Sequence, residues 1–186
     1  MRLAQIPNAI CVLRILLVVP LVIALFGGDY RVALALIVIA GVSDGVDGFL
    51  AKTFGWQSRL GSLLDPAADK LLLVSTIVSL TWLGFVPVGV TAIVILRDIV
   101  IVSGAIAYFR LAGTLTGEPL LVSKLNTLCQ LLFVIATIMQ AAWQQPPADW
   151  LIVLGALVVF TSITSGLSYV LIWSGRARAA AQAGAS

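Results

Sequence analysis

Long apolar runs, separated by short polar links, dominate this sequence. A helix of roughly 20 apolar residues is long enough to cross the hydrocarbon core of a bilayer. We predict helices over approximately 7–26, 30–53, 61–83, 86–111, 120–143 and 150–173. The pattern therefore predicts an all-α integral membrane protein with six transmembrane helices.

The links between the runs carry residues that commonly end helices. A Gly-Gly pair at 27–28 ends the first run, and a Pro-Pro pair at 146–147 precedes the sixth. The basic stretch 176–186 is rich in small residues, which indicates a short flexible tail. We expect one membrane domain over 1–175 and a cytoplasmic tail after it.

The composition agrees with a location in a bilayer. Hydrophobic residues make up 61% of the 186 residues and charged residues 10%, whereas soluble domains are about one-quarter charged. The first run lacks a strongly basic leader, so we expect it to stay in the mature protein. The net charge is +3, and no basic run suggests a nucleic-acid partner.

Basic residues are distributed unequally between the two sides that six crossings would create. One side would carry both termini and Arg2, Lys52, Arg59, Arg110, Lys124, Arg176 and Arg178. The opposite links carry Arg31. Because Lys and Arg favour the cytoplasmic side, we expect a multi-pass protein of the inner membrane with both termini in the cytoplasm.

Four carboxylates flank the link between the second and third runs. Asp44 and Asp47 are three residues apart, and Asp65 and Asp69 are four apart. On helices each pair shares a face, and antiparallel neighbours bring both pairs to the same membrane side. Unpaired carboxylates are costly in lipid, so cations are expected among them, and carboxylates favour Mg²⁺, Mn²⁺ or Ca²⁺.

This arrangement predicts a divalent-metal active site at the cytoplasmic ends of the second and third helices. Two metals held ~3.5 to 4 Å apart by carboxylates can clamp a pyrophosphate. Gly45, Gly48, Ala51 and Gly61 would leave room for a nucleotide or phosphate near the backbone. The chain has no histidine, which excludes a phosphohistidine intermediate and a Ser-His-Asp triad.

Three other interpretations of the acids stay open. The acids could form a salt-bridge network with Arg14, Lys70 and Arg97, serve as the coupling site of a small ion or lipid transporter, or belong to an inactive scaffold. A structural network rarely needs two carboxylate pairs on adjacent helices, and a scaffold has no use for a full set of acids. Metal-dependent catalysis is therefore favoured.

The motif across 44–69 reads Asp44-x-x-Asp47-Gly48-x-x-Ala51-Lys52, then Gly61-x-x-x-Asp65-x-x-x-Asp69. It resembles the signature of the CDP-alcohol phosphatidyltransferases. The similarity covers nearly the whole chain, including Ile6-Pro7-Asn8 and Arg14. The family usually has arginine at the position of Lys52, a change that keeps the charge and loses bidentate geometry.

The resemblance implies transfer of a phosphatidyl group from CDP-diacylglycerol to a glycerol-type hydroxyl, with release of CMP. It implies that Asp44, Asp47, Asp65 and Asp69 hold two divalent cations, Mg²⁺ or Mn²⁺, and that Asp69 is also the general base. It implies that CDP-diacylglycerol contacts Pro7, Asn8, Arg14, Gly48, Ala51, Lys52 and Gly61. It also implies a homodimer.

Arg59, Arg97 and Lys124 are cations that would suit an anionic acceptor in a cytoplasmic cavity. Asn126 and the pair Arg97-Asp98 resemble the branch of the family that forms cardiolipin from phosphatidylglycerol. We therefore expect Arg59, Arg97, Lys124 and Asn126 to bind phosphatidylglycerol, with glycerol 3-phosphate as the alternative. Lys124 could instead be a snorkelling anchor. We expect Arg97 to pair away from Asp98, because adjacent helical residues point apart.

Overall fold

In a computed structural model, the backbone is described for residues 6–54, 61–112 and 121–183, and side chains for 11–43, 68–104 and 121–175. Its elements are α1 (Ile6–Phe26), α2 (Tyr30–Phe54), α3 (Gly61–Trp82), α4 (Val88–Ala112), α5 (Leu121–Trp143) and α6 (Ala148–Ala183). The all-helical prediction is confirmed. The end predicted for the sixth helix, at 173, is wrong, because α6 continues to Ala183.

Glycine ends two of the helices by the same hydrogen-bond pattern. After α1, Gly28 has φ +79°, its N–H donates to Leu25 O, and Asp29 N–H donates to Ala24 O at 2.9 Å. After α3, Gly84 has φ +83°, and Phe85 N–H donates to Leu80 O at 2.9 Å. Glycine adopts this left-handed conformation without steric cost, so these positions stop the helices sharply.

The chain divides into two compact units. The first comprises Met1–Val86 and Val134–Ala148, and the second comprises Pro87–Phe133 and Asp149–Ser186. The predicted division into a membrane domain over 1–175 and a tail over 176–186 stays a prediction.

In the first unit, α1 packs against both α2 and α3. Its buried residues recur at spacings of three and four along one face, namely Cys11, Arg14, Val18, Leu21 and Leu25. The ring of Tyr30, at the start of α2, packs edge to face against the ring of Phe85, just beyond α3, with 5.5 Å between the ring centroids. Helices α2 and α3 therefore run antiparallel, with the end of α2 and the start of α3 away from this contact.

Many large apolar side chains of the described helices are exposed, and the interior holds polar as well as apolar side chains. Leu16, Ile23, Phe160 and Leu171 are each more than 60% exposed. The buried polar and charged residues are Arg14, Thr76, Ser79, Thr91, Arg97, Asn126, Gln130, Thr137, Ser162 and Ser165. Lipid is the solvent in which this distribution is favourable, since an apolar exterior costs little there.

Two helices within the described residues are long and apolar enough to cross a bilayer, Leu121–Trp143 and Ala148–Gly175. Shorter apolar stretches occupy Cys11–Phe26 and Tyr30–Ser43. These features are consistent with a membrane protein. The number of crossings predicted from the sequence, six, stays a prediction.

Candidate active site

An ion pair between α1 and α3 is the centre of the candidate site. The Nη1 atom of Arg14 donates to Oδ1 of Asp69, across 55 positions of sequence. Arg14 is 1% exposed, whereas the side chain of Asp69 keeps 37% of its surface exposed. The guanidinium therefore meets the carboxylate from the interior, and the carboxylate also faces the outside of the unit.

The helical register places both partners on buried faces of their helices. Arg14 occupies a position in the buried stripe of α1, between Cys11 and Val18. On α3, Asp69 shares a face with the buried Leu72 and Thr76, three and seven residues later. The two residues therefore face each other between α1 and α3, and their difference in exposure does not come from the register.

This pair bears on two interpretations made from the sequence. Contact between Arg14 and an acid of the motif is what a salt-bridge network predicts, and the structure contains that contact. The pair also brings together Arg14 and Asp69, which the family resemblance assigns to CDP-diacylglycerol binding and to the metals. A salt bridge alone therefore does not decide between structure and chemistry.

Most of the other predicted site residues have side chains outside the described part of the chain. Asp44 and Asp47 lie in α2, and Asp65 lies in α3. The backbone is helical at the further predicted contacts Pro7, Asn8, Gly48, Ala51, Lys52 and Gly61, and their side chains also lie outside the description. Arg59 lies outside the described residues altogether.

The residues that the sequence offers for a metal are carboxylates, the donor type that Mg²⁺ and Mn²⁺ prefer. Within the described side chains, no group of three or more His, Cys, Asp or Glu residues could hold a metal ion. Asp69 fits a metal-binding role in one respect, because its carboxylate remains partly exposed while paired to Arg14. The predicted ligand set stays a prediction.

A second polar cluster surrounds Arg97 in the second unit and joins α4, α5 and α6. Nη2 of Arg97 donates to Ser123 Oγ at 2.5 Å and to Ser165 Oγ at 2.9 Å, and Nε donates to Ser165 Oγ at 3.3 Å. Nη1 donates to Asp98 Oδ1 at 2.6 Å. The expectation that Arg97 would pair away from Asp98 is therefore wrong.

The reach of the arginine side chain explains that error. Neighbouring Cβ atoms on a helix diverge, but a guanidinium on a long flexible stem can fold back along the helix surface to the next carboxylate. Three of its nitrogen atoms are engaged by Ser123, Ser165 and Asp98. Acceptor binding by Arg97 stays a prediction, and these contacts favour a role in packing.

Asn126 also lies in the interior of the second unit and is 0% exposed. Its Oδ1 accepts hydrogen bonds of 2.8 Å from Thr161 Oγ1 and from Ser162 Oγ on α6. Among the described residues, its Nδ2 atom and the buried Nε2 atom of Gln130 have no hydrogen-bond partner. Binding of an acceptor by Asn126 stays a prediction, although its observed contacts are between helices.

Lys124 differs from these interior residues because it is exposed near the start of α5. An exposed ammonium at this position suits either contact with an anionic substrate or the snorkelling role considered from the sequence.

Sequence reasoning did not assign a role to Ser123, Gln130, Thr161, Ser162 or Ser165. Single hydroxyl residues are common in apolar helices and commonly bond to their own backbone. The available signal was the spacing of Ser162 and Ser165, which share a face of α6. Their hydrogen-bond partners lie on other helices and depend on how α4, α5 and α6 pack.

The fold and the Arg14–Asp69 pair define an all-helical protein of membrane type with an acidic motif next to a buried cation. Residues 4–164 match the CDP-alcohol phosphatidyltransferase family. The chain belongs to that family. The resemblance seen in the motif across 44–69 is thereby confirmed.

Curated relatives carry names from two branches of lipid synthesis. A Homo sapiens protein named cardiolipin synthase (CMP-forming) is 33% identical over 181 residues, covering 88% of this chain and 60% of the relative. A Streptomyces coelicolor protein of the same name is 43% identical over 104 residues, covering 52% of this chain and 48% of the relative.

A Mycobacterium tuberculosis protein named probable phosphatidylglycerophosphate synthase is 35% identical over 104 residues, covering 53% of this chain and 50% of the relative. The chain thus spans between about half and 60% of the length of these relatives. Relatives of both kinds are similar to this chain.

Proposed function

We propose that this chain is an integral membrane enzyme of phospholipid synthesis, which transfers a phosphatidyl group from CDP-diacylglycerol to a glycerol-type hydroxyl and releases CMP. The observation that carries the proposal is the match of residues 4–164 to the CDP-alcohol phosphatidyltransferase family, and the structural feature that agrees with it is the Arg14–Asp69 ion pair. It joins the last acid of the motif to an arginine on α1, and both belong to the part of the chain that matches the family.

Asp69 supplies the base in the proposed reaction. The oxygen of the acceptor hydroxyl forms a bond to the phosphorus that carries the diacylglycerol, and the bond from that phosphorus to the oxygen of CMP breaks. Asp69 takes the hydroxyl proton as the new bond forms. Its partial exposure is compatible with this role, because a substrate must reach the carboxylate.

Divalent cations complete the proposed site. Asp44, Asp47, Asp65 and Asp69 would hold two Mg²⁺ or Mn²⁺ ions, which when bound would neutralise the negative charge of the pyrophosphate. Pro7, Asn8, Gly48, Ala51, Lys52 and Gly61 would border the CDP group. Charge neutralisation and positioning supply much of the catalysis of phosphoryl transfer, which fits a chain without histidine.

Phosphatidylglycerol is the proposed acceptor, and cardiolipin is the proposed product. The name of the human and Streptomyces coelicolor relatives supports this choice. Lys124, with Arg59, supplies positive charge for the phosphodiester of the acceptor. The name of the Mycobacterium tuberculosis relative supports the alternative, glycerol 3-phosphate giving phosphatidylglycerophosphate.

The membrane arrangement is part of the proposal. Six crossings would place the termini, the acids and the second and fourth links on the cytoplasmic side of the inner membrane. The acyl chains of CDP-diacylglycerol could then stay in lipid while its charged group meets the motif. Two copies of the chain would form a homodimer.

The test is to supply each acceptor separately to the purified protein in proteoliposomes. These contain CDP-diacylglycerol and Mg²⁺ or Mn²⁺, with either phosphatidylglycerol or glycerol 3-phosphate. Mass spectrometry follows the lipid product and chromatography follows CMP. We expect CMP and cardiolipin in equal amounts with phosphatidylglycerol. Phosphatidylglycerophosphate as the main product would instead identify glycerol 3-phosphate as the acceptor.

The control is Asp69→Asn, which keeps the size of the side chain and removes the base. We expect this variant to elute as a folded protein and to lose at least about 100-fold in turnover. Ion or lipid flux without release of CMP from the unsubstituted protein would overturn the proposal in favour of a transporter.

A further inference from the structure

We propose that Arg14 is a positioning residue that holds and orients Asp69, rather than a residue that contacts the nucleotide. This inference rests on the proposed function, in which Asp69 is the base. It assigns to Arg14 a role different from the CDP-diacylglycerol contact that the family resemblance implies. Three observations of the first unit carry it.

The first observation is the burial of Arg14. The residue is 1% exposed, and it occupies the interior stripe of α1 with Cys11, Val18, Leu21 and Leu25. A nucleotide that arrives from solvent meets exposed atoms, and a side chain with this little exposed surface offers almost none. The structure therefore directs Arg14 toward protein groups.

The second observation is the contact itself. Nη1 of Arg14 donates to Oδ1 of Asp69, so the guanidinium fixes one oxygen of the carboxylate. Hydrogen bonds between ionised partners are stronger and more directional than neutral ones. This bond restricts rotation of the Asp69 side chain and gives the carboxylate a defined orientation.

The third observation is the asymmetry of exposure across the pair. Asp69 keeps 37% of its side-chain surface exposed, although its partner is enclosed. Arg14 thus approaches the carboxylate from its buried side and leaves the exposed surface of the carboxylate open to a substrate. A group placed behind a base in this way can set its position without touching the substrate.

A positioning role and a nucleotide-binding role predict different kinetics. Loss of a nucleotide contact raises the KM for CDP-diacylglycerol and can leave kcat unchanged. Displacement of a base lowers kcat, and a misplacement of ~1 Å can cost about 100-fold. The separation of kcat from KM is therefore the informative measurement.

The variants are Arg14→Met, which keeps much of the length and removes the charge, and Arg14→Lys, which restores a charge. We expect Arg14→Met to lower kcat by about 10- to 100-fold and to change the KM for CDP-diacylglycerol by less than about threefold. Arg14→Lys should recover part of the lost kcat. A raised KM with unchanged kcat would overturn the proposal and restore nucleotide contact.

A double-mutant cycle in the metal-free protein provides a readout that does not depend on turnover. The thermal midpoints of the unsubstituted protein, Arg14→Met, Asp69→Asn and the variant that combines both changes are compared. We expect Arg14→Met to lower the midpoint by roughly 4 to 10 °C when Asp69 is present. In the Asp69→Asn background the same change should have little effect or raise the midpoint.

Equal loss of stability in both backgrounds would overturn the proposal, because Arg14 would then act through groups other than Asp69. A different outcome is that the thermal midpoints show coupling between Arg14 and Asp69, but the protein releases no CMP with any acceptor. That result would contradict the proposed function and leave the contact between the two residues supported. Arg31→Met is the matched control, since Arg31 is an exposed arginine of the same unit whose guanidinium lies 5.8 Å from the Trp143 ring centroid. We expect its kcat and KM to stay within about twofold of the unsubstituted values.

Discussion

A buried arginine meets a carboxylate in each of the two units, and the carboxylates differ in a way that bears on function. Asp69 lies on another helix from Arg14 and keeps 37% of its side-chain surface exposed. Asp98 follows Arg97 on the same helix and keeps 15%. The first pair thus leaves more of its carboxylate exposed than the second does. The first is therefore the better candidate for chemistry, and the second for packing.

Among the described cations predicted to bind the acceptor, Lys124 is exposed, whereas Arg97 is buried. We expect Lys124→Met to raise the KM for phosphatidylglycerol by about 10-fold or more, with little change in the KM for CDP-diacylglycerol. Lys124→Arg, which keeps the charge, should stay within about threefold. Steady-state kinetics in proteoliposomes with each substrate varied in turn would measure both constants.

An unchanged KM for phosphatidylglycerol in Lys124→Met would count against acceptor binding. The lysine would then serve as the membrane anchor that its position near the start of α5 also allows. A loss of thermal stability in the same variant would strengthen that alternative.

Individual residues were predicted from the sequence with unequal success. The spacing of Asp65 and Asp69 on the third run indicated a shared helical face, and both residues lie in α3. The partner of Arg14 required knowledge of which helices pack together, since 55 positions separate it from Asp69. The pairing of Arg97 with Asp98 was mispredicted because side-chain reach was neglected.

Helices were easier to predict than their contacts, because hydrophobic runs and strong helix-ending residues mark them locally. Glycine at 28 and 84 and the Pro-Pro pair at 146–147 lie in the links that the structure shows. The sixth helix was predicted too short, because hydrophobicity falls after residue 173. The alanine and arginine residues that follow have high helix propensity, and α6 continues through them to Ala183. An apolar pattern marks the part of a helix that lipid covers, and a helix can continue beyond it.

The three helices of the second unit are held together at Arg97, and this contact predicts a difference between two serines of α6. Ser165 accepts hydrogen bonds from Nε and Nη2 of Arg97, whereas Ser168 donates to Thr164 O of its own helix at 2.8 Å. We expect Ser165→Ala to lower the free energy of unfolding by about 1.5 to 3 kcal/mol, because it removes the acceptor of a buried charged group. Ser168→Ala, the matched control, should change it by less than about 0.5 kcal/mol.

Unfolding of the purified variants by denaturant in detergent would provide the comparison. Equal stability of the Ser165→Ala and Ser168→Ala proteins would show that the contact between Arg97 and Ser165 does not stabilise the packing of α4 against α6.

At the scale of the whole molecule, the apolar pattern predicted an all-helical protein of membrane type, and in the described helices many large apolar side chains are exposed while polar side chains lie among the buried apolar ones. In lipid, burying an apolar side chain gives little hydrophobic stabilisation. The interior can therefore hold arginine, asparagine and serine side chains that form hydrogen bonds between helices. Composition cannot show which polar residues meet, because that depends on helix rotation. The motif therefore predicted the candidate site, whereas the contacts of Arg14, Arg97 and Asn126 with other helices required the structure.

The orientation in the membrane is the last prediction, and it depends on the unequal distribution of basic residues between links. Two variants with a single cysteine each test this prediction, and in both the native Cys11 and Cys129 are changed to alanine. One variant carries Gln145→Cys in the fifth link, and the other carries Ser58→Cys in the second link. Six crossings with cytoplasmic termini put the fifth link outside and the second link inside. We expect an impermeant maleimide added to intact cells to label Gln145→Cys, and to label Ser58→Cys after the membrane is permeabilised. Labelling of Ser58→Cys alone in intact cells would show that the orientation is the reverse of the predicted one. Equal labelling of both variants in intact cells would contradict six crossings, because three predicted spans separate the two links and therefore place them on opposite sides.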